Sequence, residues 1–287
     1  MFEGAYTALV TPFSKAGDVD FGKLRELVEF QIKNGIDGIV PVGTTGESPT
    51  LTMEEHIRVI EEVIRTVNKR AKVIAGTGSN STAEAIELTR HARDAGADGT
   101  LQVTPYYNKP SQTGLIRHFS AIADLGLPVV LYHVPGRTSC GIDLDTVVSL
   151  SKHPHIVAIK EAGGSVDRVS YLARCSSLTI LSGDDMLALP MISVGARGVI
   201  SVASNLIPKA VSDLIHAALA GRWEEARRIH WAYHELFTNL FVETNPVPVK
   251  TAMAMKGMIE ETCRLPLCEL KETSRTLLRE TLIRAGI

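Results

Sequence analysis

Ile156, Val157, Ala158 and Ile159 form a short apolar run that ends on Lys160 and Glu161 and passes into Gly163-Gly164. A lysine that ends a buried strand and faces an enclosed site loses hydration. That favours the neutral amine, which can add to a ketone and form a Schiff base. The plainer alternative is a lysine at a strand end that points into water. Tyr132 lies near the end of another apolar run, and a phenol beside such a lysine could both remove and deliver protons. Its own plainer alternative is a buried tyrosine with a hydrogen-bonded tip. Gly43-Thr44-Thr45-Gly46 offers two hydroxyls and freely directed N–H groups, which suit a small carboxylate or make a simple turn. It is too short for a nucleotide phosphate loop and lacks the Gly-Lys-Ser/Thr that such a loop needs.

Other groups are less suited to chemistry. His230 and His234 stand at i and i+4 beside Glu235, a spacing that metal sites use, but no H-E-x-x-H is present. Asp184-Asp185 could hold Mg²⁺ or cap the following helix, and capping is the preferred reading. No histidine and carboxylate cluster gathers at the strand ends, which speaks against a metal-dependent aldolase, and no metal or other cofactor is expected.

These residues must be held by regular elements, and the hydrophobic pattern supplies them. Short apolar runs at 6–10, 38–42, 73–76, 100–103, 129–133, 157–160, 179–182 and 199–202 alternate with longer helical stretches. Most are continuously apolar, as strands of a parallel sheet buried on both faces should be. Thr52 with Glu55 and Ser81 with Glu84 fit capping boxes at helix starts. Leu24, Leu27, Val28 and Ile32, with Gln31 beside them, form a stripe of helical period that stops at Asn34-Gly35. A faint repeat, Gly35-Ile36-Asp37-Gly38, Gly96-Ala97-Asp98-Gly99 and Gly195-Ala196-Arg197-Gly198, marks a helix end, a tight turn and a buried strand three times.

Eight such units imply an α/β chain folded as a (β/α)₈ TIM barrel over residues 1–221. A doubly wound open sheet is the alternative, but no G-x-G-x-x-G follows the first strand. Helical patterning resumes at Arg222 and runs to the end, broken near Pro246 to Pro248 and at Pro266. No linker separates it, so residues 222–287 are expected to pack on the barrel as a C-terminal helical extension.

The remaining composition excludes more than it assigns. Of 287 residues 45% are hydrophobic and 22% charged, and the net charge of −2 without a basic run argues against nucleic acid as a partner. No apolar run reaches the roughly 18 to 20 residues of a membrane span, and no basic-then-apolar leader opens the chain, so a cytoplasmic protein is expected. The four cysteines form no C-x-x-C pair and are expected to be reduced and mostly buried.

Taken together, Gly43-Thr44-Thr45-Gly46-Glu47-Ser48, Tyr106-Tyr107-Asn108-Lys109-Pro110, Tyr132 to Thr138, Lys160-Glu161 and Ser182-Gly183-Asp184-Asp185 closely resemble the dihydrodipicolinate synthase family. The resemblance runs from Ala8-Leu9-Val10-Thr11-Pro12-Phe13 to Asn245-Pro246-Val247-Pro248-Val249-Lys250. It implies a lyase of class I aldolase type on a (β/α)₈ barrel, joining pyruvate to L-aspartate 4-semialdehyde on the diaminopimelate route to L-lysine. Lys160 would then carry the pyruvate imine. Thr45 and the backbone at Thr44 would hold its carboxylate, with Gly183 and Ile200 nearby. Tyr132, Thr44 and Tyr107 would relay protons, Tyr107 coming from a neighbouring subunit, and Arg137 would meet the aldehyde's carboxylate. A homotetramer built as a dimer of dimers is implied as well. His133 stands where the family usually has Asn.

The same resemblance implies feedback inhibition by L-lysine at a second site on the dimer interface, formed by Ser48, Pro49, His56, Asn80, Glu84 and Tyr106. Met53 replaces a histidine often found there, and Ser81 with Glu84 would fit a capping box in any case. N-acetylneuraminate lyase and keto-deoxy-sugar aldolases share the lysine, the tyrosine and the barrel. Thr44-Thr45 and Pro135-Gly136-Arg137-Thr138 favour the synthase. A barrel that only binds a keto acid is the non-enzymatic alternative.

Overall fold

Each of the eight apolar runs forms a strand, and the strands pair in chain order until the last meets the first in a closed parallel barrel. The computed structural model describes all 287 residues. The strands are β1 (Gly4–Ala8), β2 (Gly38–Val40), β3 (Lys72–Gly76), β4 (Gly99–Val103), β5 (Val129–His133), β6 (Ile156–Glu161), β7 (Thr179–Ser182) and β8 (Gly198–Ser201). Between them run α1 (Phe21–Lys33), α2 (Met53–Val67), α3 (Thr82–Ala95), α4 (Gln112–Ala123), α5 (Pro135–Thr138), α6 (Leu144–Leu150), α7 (Val166–Cys175) and α8 (Ala188–Ser193). Then come α9 (Pro208–Leu219), α10 (Trp223–Asn239), α11 (Val247–Met255) and α12 (Glu272–Arg284).

Two strands are displaced from the apolar runs that signalled them. β1 begins two residues earlier than the run at 6–10 because Gly4 and Ala5 pair with Gly198 and Val199, while Leu9 and Val10 are buried beyond the ladder. β2 stops at Val40 because Val42, at φ 55, has left the extended region. Burial alone could not mark either boundary.

Alternation along the strands sorts side chains into two cores. Ala158, like Val130, Tyr132, Val134, Leu181 and Ile200, belongs to the cluster inside the barrel, whereas Ile159 packs into the larger cluster between sheet and helices. With a side-chain period of two, Lys160 follows Ala158 inward and Glu161 follows Ile159 outward.

The helices start and stop where their signals stand. Thr52 and Glu55 exchange both bonds of a capping box, but at Ser81 only the forward half forms, the hydroxyl accepting from the Glu84 N–H. Gly35, Gly96 and Gly195 all take positive φ after their helices, which accounts for the faint repeat. In two copies the aspartate then accepts a backbone N–H of the neighbouring strand, Asp37 from Ala5 and Asp98 from Val73. α10 packs on α9, and α12 packs on α10 and α11. The helical pattern breaks as expected, between Asn239 and Val247 and again around Pro266, and Pro246 and Pro248 stand at the cap and in the first turn of α11. The cysteines are free but not mostly buried: Cys268 is exposed and Cys140, Cys175 and Cys263 are half-buried. No helix is long and apolar enough to cross a membrane.

Candidate active site

Tyr132 and Lys160 are Cα partners on β5 and β6, and both are buried at the C-terminal end of the barrel interior. Their direct contact puts Lys160 Nζ 4.3 Å from the centroid of the Tyr132 ring. Gly183 follows β7 beside them. A β-carbon there would lie 2.6 Å from Ala162 Cβ and 2.9 Å from Lys160 Cε, so only glycine leaves the lysine stem room. Ile200 is fully buried inside the barrel on β8.

Above this pair opens a cavity of about 230 Å³ whose wall includes Thr44, Tyr106, Tyr132, Arg137 and Thr138. Lys160, Thr45, Gly183 and Ile200 are not part of that wall. Thr45 is buried, its Oγ1 accepting from Asn245 Nδ2 at 3.0 Å. Arg137 Nη2 donates to the Asn245 carbonyl at 3.2 Å. Asn245, from the segment leading into α11, therefore ties Thr45 to Arg137, and its own Oδ1 is buried without a partner. The residue-by-residue reading missed it; the signal was its place in the Asn245-Pro246 segment that carried the resemblance.

Tyr107 is not brought to the cavity within the chain. It is 91% exposed and takes φ 69, so its ring stands in the open.

The six residues expected to form a separate lysine site are only partly separate. Ser48, Pro49 and Tyr106 line the same cavity as Thr44 and Tyr132. His56 is buried with Nε2 2.7 Å from the Gly76 carbonyl, and burial holds its imidazole below the usual histidine range. Asn80 donates to the Tyr106 carbonyl at 3.2 Å, and Glu84 is exposed. Burial, assisted by the nearby Glu84 carboxylate, pushes the Tyr106 phenol up.

Behind the lysine strand lies a second polar group. Glu161, fully buried, accepts from Arg168 Nε at 2.8 Å and from the Gly163 N–H at 2.9 Å. Burial still pushes its carboxyl up against those bonds. His133 Nδ1 accepts from the Ile142 N–H at 3.1 Å, and its Nε2 lies 3.7 Å from Glu161. Burial, with Arg168 nearby, lowers that imidazole to about 4, so the ring is neutral at pH 7.

The acidic pair after β7 divides its work differently from the expected helix cap. Asp184 accepts from the Met186 N–H. Asp185, buried, accepts from Val202 and Ala203 at 3.0 and 2.9 Å, so it caps the turn after β8 and leaves α8 without a side-chain cap. His230 and His234 stack edge to face at 5.7 Å between ring centroids, and no group of three or more His, Cys, Asp or Glu is placed to hold a metal ion.

A closed parallel barrel with a buried lysine and tyrosine paired at adjacent strand ends defines a (β/α)₈ protein of the strand-end lysine class. Residues 1–285 match the model of the dihydrodipicolinate synthetase family, and the chain belongs to that family and is a lyase. It is 56% identical over 281 residues to the 4-hydroxy-tetrahydrodipicolinate synthase of Geobacter sulfurreducens, covering 97% of each chain. Its fold superposes with TM-score 0.98 on a chloride-inhibited dihydrodipicolinate synthase from Acinetobacter baumannii solved with pyruvate. The two are 48% identical, with 100% of both chains covered. A dihydrodipicolinate synthase from Cyanidioschyzon merolae, solved with lysine bound, matches with TM-score 0.96 and 43% identity, covering 99% of this chain and 98% of that one.

Proposed function

We propose that this protein condenses pyruvate with L-aspartate 4-semialdehyde to 4-hydroxy-tetrahydrodipicolinate through an imine on Lys160, in the diaminopimelate route to L-lysine. The observation that carries the reading is the Lys160–Tyr132 contact at the strand ends, beneath a cavity of a size for two small acids. The names of the relatives favour the synthase over a sugar aldolase, and a related chain holds pyruvate.

The chemistry follows from the residues. The neutral amine adds to the keto carbon and water leaves, giving an imine that withdraws electrons from the adjacent methyl group. A methyl proton then departs, the resulting enamine carbon attacks the aldehyde, and the amino group of the aldehyde substrate adds to the imine carbon, closing the ring and releasing the Lys160 amine. Tyr132, with Thr44 and a partner subunit's Tyr107, moves the protons. Thr45 and the backbone at Thr44 hold the pyruvate carboxylate, with Gly183 and Ile200 nearby in the binding site. Arg137 receives the aldehyde's carboxylate, where a guanidinium fork fits two oxygens.

The full exposure of the Tyr107 ring supports an oligomer in which a neighbour uses it, a dimer of dimers being the proposed form. A fully active monomer in sedimentation would remove that proposal. L-lysine is the proposed inhibitor, binding near Ser48, Pro49, His56, Asn80, Glu84 and Tyr106; the support is the lysine-bound relative and the placing of Tyr106 on the catalytic cavity's wall. Residues 1–221 form the proposed catalytic barrel and 222–287 its packed extension, in a protein of the cytoplasm.

Treating the protein with pyruvate and borohydride tests the core of the reading. One reduced pyruvyl group should be found on the peptide bearing Lys160, with loss of activity toward aspartate semialdehyde. A label on another lysine, or no label, would overturn it.

A further inference from the structure

The loop after β2 carries Thr44 and Thr45, and it is wound under strain. Val42 and Glu47 both take φ 55, a left-handed conformation that is a steric outlier for a β-branched residue such as Val42. There is no slack around it: a β-carbon at Gly76 would lie 2.3 Å from the Val42 carbonyl oxygen, and one at Gly46 would lie 2.9 Å from the Val42 nitrogen. Strain of this kind persists only where the surroundings over-determine the conformation.

Turn hydrogen bonds supply part of the hold. The Gly46 and Glu47 N–H groups donate to the Gly43 and Thr44 carbonyls, and the Thr11 hydroxyl donates to the Gly46 carbonyl. The rest comes from about two hundred residues further along the chain. Glu47 is buried, and its Oε1 accepts from Lys250 Nζ at 2.6 Å while Oε2 accepts from the Arg264 backbone N–H at 3.0 Å. Lys250 is fully buried on α11, donates also to the Thr11 carbonyl at 3.0 Å and lies 4.3 Å from the Phe13 ring centroid. The Arg264 guanidinium donates to the Thr50 carbonyl at 2.8 Å and to the Glu55 carboxylate, and its Cζ lies 4.5 Å from the Phe13 ring centroid. Asn245 adds the bond to Thr45 described above.

A buried ion pair is weak evidence for stability, because desolvation offsets the attraction and apolar replacements are often neutral. What such a pair does supply is a fixed distance and direction. We propose that Glu47 and Lys250 are positioning residues for the keto-acid carboxylate: the C-terminal extension uses their ion pair to hold the strained loop so that Thr44 and Thr45 stay in register with Lys160 and Tyr132. Both side chains are fully buried and are taken up by each other, by the Thr11 carbonyl and by the Arg264 N–H, so their role is to position the loop rather than to meet substrate. This deepens the function proposed above and rests on its pyruvate reading.

The test separates folding from positioning. In the double variant Glu47→Gln/Lys250→Met both charges are gone, while the Gln side chain still offers an oxygen to the Arg264 N–H. Tm, pyruvate KM, kcat and borohydride trapping at Lys160 are measured in the full-length protein. The double variant is expected to melt close to the parent, yet to show a pyruvate KM raised about tenfold to a hundredfold and correspondingly slow trapping at low pyruvate. A parent-like Tm with unchanged pyruvate KM and trapping would overturn the proposal. Should the double variant melt early, Glu47→Asp keeps both charges and shortens the reach by one methylene. It is expected to raise pyruvate KM several-fold, and an unchanged KM would again overturn the proposal. Failure of the parent itself to trap pyruvate would instead overturn the functional reading.

Discussion

The amine of Lys160 lies over the face of the Tyr132 ring, 4.3 Å from its centroid, because the two residues are register partners on adjacent parallel strands. Both side chains therefore rise from the barrel wall and neither depends on a loop closing. Phenylalanine at 132 would keep the ring and lose only the hydroxyl. Tyr132→Phe is expected to retain borohydride trapping of pyruvate at Lys160 while kcat falls about a hundredfold or more, the usual worth of acid–base assistance. Equal loss of trapping would show that the hydroxyl is needed to form the imine itself.

Gly183 tests the space around the lysine. A methyl group there meets Ala162 Cβ at 2.6 Å and Lys160 Cε at 2.9 Å, so the lysine stem must swing away from its place beside Tyr132. Gly183→Ala is expected to slow imine formation strongly and to cost about 1 to 3 kcal/mol in urea unfolding, as overpacking does. Parent-like trapping rates would mean that the stem yields without moving the amine.

Arg137 stands on the cavity wall and holds the Asn245 carbonyl with one nitrogen. Arg137→Ala is expected to lower kcat/KM for aspartate semialdehyde by an amount equivalent to about 1.5 to 3 kcal/mol, the worth of a hydrogen bond to a charged group. Pyruvate trapping should change little. If trapping fell as far as condensation, the arginine would act through Asn245 and Thr45 rather than on the aldehyde.

The parts legible in the sequence are those written in local periods. Apolar runs marked all eight strands, three of them announced by a turn glycine, and the alternation around Ala158 and Ile159 is what turns Lys160 inward. Contacts between distant segments leave no such mark. Nothing near Thr45 announces Asn245, and nothing near Glu47 announces Lys250, because those pairings exist only once the extension packs on the barrel. Asp185 was misread for a related reason: its local context suits a helix cap, but burial beside β8 makes the Val202 and Ala203 N–H groups its nearer donors.

His133 links this site to stability through pH. Its imidazole falls from the ordinary 6.5 to about 4, mainly through burial, so the unfolded chain binds that proton more readily than the folded one. The contribution is present above pH 6.5 and is lost as the pH falls toward 4. Asparagine at this position still offers an oxygen to the Ile142 N–H but cannot take up a proton. Between pH 7.5 and pH 5, His133→Asn is expected to lose about 2 kcal/mol less unfolding free energy than the parent, at most, when both are measured in urea. Parallel pH profiles for the two proteins would show that His133 does not carry the effect.

Of the three members of the proposed lysine site on the cavity wall, Ser48, Pro49 and Tyr106, only Tyr106 adjoins the proposed relay residue Tyr107, which makes Tyr106 the proposed route of coupling. Its ring lines the catalytic cavity, its carbonyl takes the Asn80 amide, and the next residue is Tyr107. Glu84 is the exposed carboxylate whose field reaches that phenol, and it is the group in the cluster best suited to an ammonium. Coupling requires that a lysine bound there favour one arrangement of Tyr106 over another, and the same coupling must appear when pyruvate is varied and lysine binding is read. Millimolar lysine is therefore expected to inhibit the parent. Glu84→Gln should weaken that inhibition by roughly tenfold or more, the worth of a lost charge-assisted bond, while kcat without lysine stays unchanged. Inhibition of equal strength in parent and variant would place the lysine elsewhere, and an uninhibited parent would leave Tyr106 as a wall of the catalytic cavity alone.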